Sequence, residues 1–219
     1  MSDLDVREGV RSALDWSPKI DASRIAVSVD HGAVSLTGQV GGYLEKWDAE
    51  RIAKQVYGVT GVANDLQVDY DSNGAATAIR DSDLLQRVLQ SLKWSFEVPS
   101  GAVKPVVSDG WVTLSGKVKW NFQREAAEST VRNLSGVKGV TDEITLEPQP
   151  TPKDVDKRIS DALSRNAQLD ARRITVSTDG GTAVLDGSVS SWAERDEAET
   201  AAWSAPGVNM VKNNLQVNY

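Results

Sequence analysis

One histidine, His31, and no cysteine make up the whole stock of imidazole and thiol in 219 residues. A nucleophile with its base and an orienting partner needs more than one such group, so histidine or thiolate catalysis has nothing to build from. Disulfides and thiolate metal sites are ruled out on composition. His31 sits in Asp30-His31-Gly32, where turns take polar residues or glycine for backbone reasons, and is read as a turn residue. Carboxylates are plentiful, and "WAERDEAET" places Glu194, Asp196, Glu197 and Glu199 close together. Such a group could pair carboxyls for acid–base work or hold a hard cation. The expectation is instead a solvated helix face, acids being favoured near a helix start and Ser191-x-x-Glu194 resembling a capping box. Neither a calcium loop nor a glycine-rich phosphate loop is written anywhere. No catalytic, cofactor or metal residue is assigned, and the chain is not expected to be an enzyme.

The residues that recur are those of a scaffold. "DHGAVSLTGQV", "SDGWVTLSGKV" and "DGGTAVLDGSV" are one pattern written three times, at offsets of 78 and 71 residues. At those offsets Leu14, Leu92 and Leu163 match, as do Gly38, Gly116 and Gly187, and Gly58-Val59, Gly136-Val137 and Gly207-Val208. Such self-similarity defines the architecture before any single element is read. Each copy opens with apolar residues at helical spacing, Val6, Val10 and Leu14 in the first. Strict alternation follows through Ile25, Val27 and Val29, a turn, then Val34, Leu36 and Val40, which reads as a hairpin. A second helical pattern (Ala49, Ile52, Ala53, Val56) closes at Gly58, and an alternating segment such as "NDLQVDY" ends the copy.

The predicted fold class is therefore α+β: three tandem α-β-β-α-β units, each a three-stranded mixed sheet covered on one face by two helices. The units are placed at 1–72, 79–148 and 152–219. "DSNGAATA" (71–78) is read as a flexible linker, and "EPQPTPK" (147–153), with three prolines, as a stiffer one. Units this small are marginal alone, so contacts between them are expected to contribute to stability.

The "V-x-L-x-G-x-V" strand, the Ala-Glu pair inside helix two (Ala49-Glu50, Ala127-Glu128, Ala198-Glu199) and "GV-x-x-V" before the last strand resemble the BON domain family, over nearly the whole chain. The resemblance implies a non-enzymatic module of bacterial envelope proteins, tied to osmotic and envelope stress and to phospholipid surfaces. Many family members carry two copies and an export signal, whereas this sequence has three copies and opens without a basic segment leading into an apolar stretch. The expectation is a cytoplasmic protein, or a periplasmic one if a leader was removed. In the third copy Met210 stands where the others have Gly61 and Gly139, so its turn is expected to differ in backbone angle.

A surface used by one copy should show in what the copies do not share. The middle copy balances nine basic against nine acidic residues in a chain of net charge −7, and is rich in aromatics. On its second strand Val112, Leu114 and Val118 face the helices, leaving Trp111 and Lys117, with Lys119 just beyond, on the open face. A tryptophan flanked by lysines suits an anionic phospholipid headgroup layer or an envelope component; the same face could instead pack on a neighbouring unit. Trp120 and Phe122 either join this surface or cover the start of helix two. Trp16 and Trp94, near the end of helix one, are expected to pack. Net acidity argues against nucleic acid, and no apolar run is long enough to span a bilayer. Self-association into a homo-oligomeric scaffold, and sensing or carriage of a small ion or solute, are the alternative readings.

Overall fold

Helix α1 (Asp3–Trp16) starts at Ser2, whose hydroxyl accepts the Asp5 amide while the Asp5 carboxylate accepts the Ser2 amide. This reciprocal cap satisfies donors that a helix start leaves open. Val6, Val10 and Leu14 fall on one face and are buried. A short 3-10 turn (Ala22–Arg24) leads into β1 (Ile25–Asp30), which turns at His31-Gly32 into β2 (Ala33–Val40). Helix α2 (Tyr43–Lys54) then carries the chain over the sheet to β3 (Gly61–Val68). Strand β2 is central, antiparallel to β1 and parallel to β3. Val34, Leu36 and Val40 of β2 lie with Ala49 and Ala53 of α2 in one core, and the alternate residues leave the opposite sheet face open. The computed structural model describes residues 2–69, 79–150, 152, 154–166 and 169–218.

The second copy repeats the order as α3 (Asp81–Trp94), β4 (Val103–Ser108), β5 (Trp111–Val118), α4 (Asn121–Arg132) and β6 (Gly139–Leu146). The third follows as α5 (Val155–Arg165), β7 (Ile174–Asp179), β8 (Thr182–Val189), α6 (Trp192–Trp203), β9 (Met210–Asn213) and β10 (Gln216–Val217). Its last strand is written in two pieces, both parallel to β8. The fold class read from the sequence is the one observed. The linker at 71–78 lies outside the described residues, as do positions 151 and 153 of the second.

Three local devices brace the copies, the first and third in all three and the second in copies one and two. The first is the shared strand glycine. At Gly38, Gly116 and Gly187 φ is 126°, 140° and 127°, and a Cβ would lie 2.1, 2.1 and 2.0 Å from the carbonyl oxygens of Arg24, Ala102 and Arg173. No side chain fits there. The second is a carboxylate from the start of helix one that clips the hairpin. Asp3 accepts from the His31 and Gly32 amides, and Asp81 from those of Asp109 and Gly110. These bonds hold the Asp3 carboxyl below its usual range.

The third device lies in the acidic stretch expected to be a solvated face. Glu194 is buried, 7% exposed. One carboxylate oxygen accepts the Asp170 amide at 2.8 Å and the other the Ser190 amide at 2.6 Å. Burial raises its pKa, but these hydrogen bonds outweigh it and the net shift is downward. Ser191 caps the Glu194 amide as expected, yet the Glu194 side chain is occupied elsewhere, so only half of the capping box forms. Glu197 accepts from Asn166, and Glu199 from Asn213. Glu45 makes the same staple in copy one, to Asp21 and Gly41. In copy two Gln123 stands there and accepts the Lys119 and Trp120 amides.

Met210 does not distort its turn. Neither Gly61 nor Gly139 has a positive φ, so the position imposes no demand for glycine on the backbone. What varies is the pairing of side-chain size across the open face: Ala33 faces Gly61, and Thr182 faces Met210.

Candidate functional site

Strand β5 puts Trp111 and Lys117 on the open side, as the alternation demands, with Val112, Leu114 and Val118 buried. It does not put them together. Six residues along an extended strand is about 20 Å, so the indole lies at the hairpin end and the ammonium groups at the other. Trp111 lies across the sheet: its Nε1–H donates to Thr141 Oγ1 at 2.7 Å, and a Cβ on Gly139 would meet its ring at 2.4 Å. The ring stays half exposed, but its polar edge is spent within the sheet. Lys119, Trp120 and Phe122 form a separate exposed run at the start of α4, joined there by the Gln123 staple.

The other tryptophans sort by partner. Within the compact unit of residues 1–116 and 125–144, Arg132 stacks 3.9 Å from the ring centroid of Trp47, with Arg51 at 5.3 Å. Tyr43 beside it is raised in pKa by burial, against a backbone hydrogen bond with Val140. In the third copy Arg195 lies over Trp192 at 5.4 Å. Each pair offers the ring a cation, a contact of about 0.5–2 kcal/mol.

Trp16 and Trp94 have no such partner among the described residues. They are 89% and 74% exposed, and Phe96, two residues on, is fully exposed. The expectation that these tryptophans pack is therefore overturned. The reason was legible: each follows a buried leucine (Leu14, Leu92) by two residues, about 200° around the helix, which points it away from the core. Lys93 and Leu89 are exposed on the same helix as Trp94. In the first copy Trp16 walls an open groove of about 670 Å³ with Pro18, Ile52 and Val56. The third copy has Arg165 at this position.

Among the described residues no three histidine or carboxylate side chains converge as a metal site, and no helix is long and apolar enough to cross a membrane. What the three copies present is a set of surfaces on a repeated small scaffold.

That scaffold is matched by the BON domain family at residues 2–70, 80–148 and 153–219. The chain belongs to this family, in three tandem copies. It is 32% identical over 145 residues to the osmotically-inducible protein Y of Escherichia coli K12, a match covering 66% of this chain and 72% of that one. Among solved structures it aligns with the C-terminal domain of CdsD, a structural protein of the type III secretion system of Chlamydia trachomatis, at 15% identity over the full length of both chains. A second CdsD structure aligns at 17% identity over 98% of this chain and 92% of that one. The TM-score is 0.26 in both cases.

Proposed function

We propose that this chain is a non-catalytic BON-repeat protein that contacts anionic phospholipid surfaces, in the osmotic-stress setting named by its Escherichia coli relative. The observation that carries this reading is the bare aromatic end of helix one in copy two, Trp94 and Phe96 beside Lys93. Large apolar rings left in water have a cost that a headgroup boundary removes, since an indole sits favourably there while ammonium groups meet phosphate. Trp16 offers the same element in copy one. Lys117, Lys119, Trp120 and Phe122 form a second aromatic and basic contact in copy two, with Trp111 as the half-exposed cover of its sheet.

Co-sedimentation of the intact chain with neutral and anionic vesicles at two salt concentrations tests this. Binding to the anionic set alone, weakened by salt, is expected. Trp94→Ala/Phe96→Ala should reduce it about tenfold or more, and Lys117→Glu/Lys119→Glu by a smaller factor. Absence of binding at low salt sinks the proposal. Binding that survives both double variants would remove these surfaces from it.

A further inference from the structure

The three copies differ on the outer face of helix one and the strand edge beside it. In copy one Arg7 and Arg11 stand one turn apart on α1, and with Glu8 and Val27 they line a cleft of about 390 Å³. Neither guanidinium has a hydrogen-bond or ion-pair partner among the described residues, and both are exposed. At the equivalent positions copy two has Leu85 and Leu89, and copy three has Asp156 and Ser160. With Glu8 replaced by Gln86 and Lys157, one surface is net basic in copy one, apolar in copy two and charge-balanced in copy three.

The cleft borders an edge strand. Among the described residues strand β1 has a neighbour on one side only, β2. Asp30 and Ala33 pair across the two-residue turn, so alternation turns the backbone groups of Ala26 and Ser28 toward β2 and those of Val27 and Val29 outward. An edge that presents unpaired amides and carbonyls is a template for another strand, and proteins commonly block it. Copy two does so: Pro105 occupies the place of Val27, and proline removes the outward donor. Copy three keeps a valine, Val176, but flanks it with Asp156 and Lys157, which carry no net charge. Only copy one combines an outward-facing donor with two guanidiniums.

We propose that the β1 edge of copy one docks an extended acidic peptide from a partner protein, which adds to the sheet as a fourth strand. Main-chain hydrogen bonds at Val27 and Val29 hold the segment, and alternate carboxylates meet Arg7 and Arg11. The spacings agree. Side chains two apart on a strand are about 6.8 Å apart, and residues four apart on a helix rise about 6 Å. Glu8 in the same cleft leaves a net positive charge that favours acidic over basic segments.

The test is fluorescence anisotropy of the full chain with a short labelled peptide alternating glutamate and valine, and with its lysine-for-glutamate counterpart. The acidic peptide should bind and the basic one should not. Val27→Pro, which installs the residue copy two already carries, should weaken binding about tenfold or more. Arg7→Glu/Arg11→Glu should do the same from the helix surface, where folding is not at stake, with circular dichroism checking both variants. Leu85→Arg/Leu89→Arg/Pro105→Val should create a second site. No binding of the acidic peptide, or binding that ignores peptide charge and both variants, overturns the proposal. So does self-association of the unliganded chain that Val27→Pro abolishes, since the edge would then belong to a second copy.

Discussion

Copies one and three solve the same hairpin differently. In copy one the turn is His31-Gly32, with His31 at φ 50°, a left-handed conformation unfavourable to any residue with a Cβ. The Asp3 carboxylate holds both turn amides. In copy three Gly180 takes the same conformation at φ 55°, and Pro152 stands where Asp3 would be. A glycine meets no strain there, and the clip has been lost from the same copy. Copy two follows copy one, with Asp109 at φ 52° and Asp81 as its clip. The two arrangements teach that a carboxylate at a helix start and a glycine in the turn are alternative ways to support a left-handed first turn residue; the second differs, left-handed at Gly32 (φ 79°) and not at Gly181.

The comparison can be broken hardest where all copies agree. Gly38→Ala places a Cβ 2.1 Å from a backbone carbonyl and should destabilise copy one by about 3 kcal/mol or more in urea unfolding. Next comes the helix-two staple. Glu194→Gln leaves one of two buried amides facing an NH2 group, and a loss of about 1–2 kcal/mol is expected near neutral pH. Its pH dependence sharpens the contrast with Gln123. The Glu194 pKa is lower folded than unfolded, so its contribution is full above the unfolded value and is lost as pH falls through the folded one. The gap between wild type and Glu194→Gln should therefore narrow on acidification in urea melts, while Gln123→Ala should show a pH-independent cost.

Smaller effects probe the turn. His31→Gly should stabilise by about 1 kcal/mol by removing left-handed strain, and Asp3→Ala should then lower the melting midpoint less than it does in the wild-type background. Smallest of all, Gly61→Ala should change stability by roughly 0.5 kcal/mol or less, because a Cβ there meets nothing within 4 Å. Gly139→Ala, under the Trp111 ring, should cost more than its counterpart in copy one.

Most of the architecture could be read before any coordinates. Val6, Val10 and Leu14 on one helical stripe, and Val34, Leu36 and Val40 on one strand parity, are local periodicities that state which face is buried. The surfaces were harder. Trp111 had the right parity, but parity does not say how far along a strand its neighbours lie or whether a threonine on the next strand takes its indole hydrogen. The burial of Glu194 was not legible because one partner of its carboxylate, Asp170, comes from a loop 24 residues away that sequence spacing does not bring near; the other, Ser190, is local.

The sequence by itself determined the three copies, their α-β-β-α-β order and the positions that must be apolar or glycine, because repetition and periodicity are properties of the chain. Tertiary structure alone decided that Arg132 stacks on Trp47, that Thr141 takes the Trp111 indole hydrogen and that the Asp170 amide meets Glu194. It also left β1, through Val27, as a sheet edge beside Arg7 and Arg11. Contacts such as these join segments distant in sequence, and no local pattern encodes the meeting.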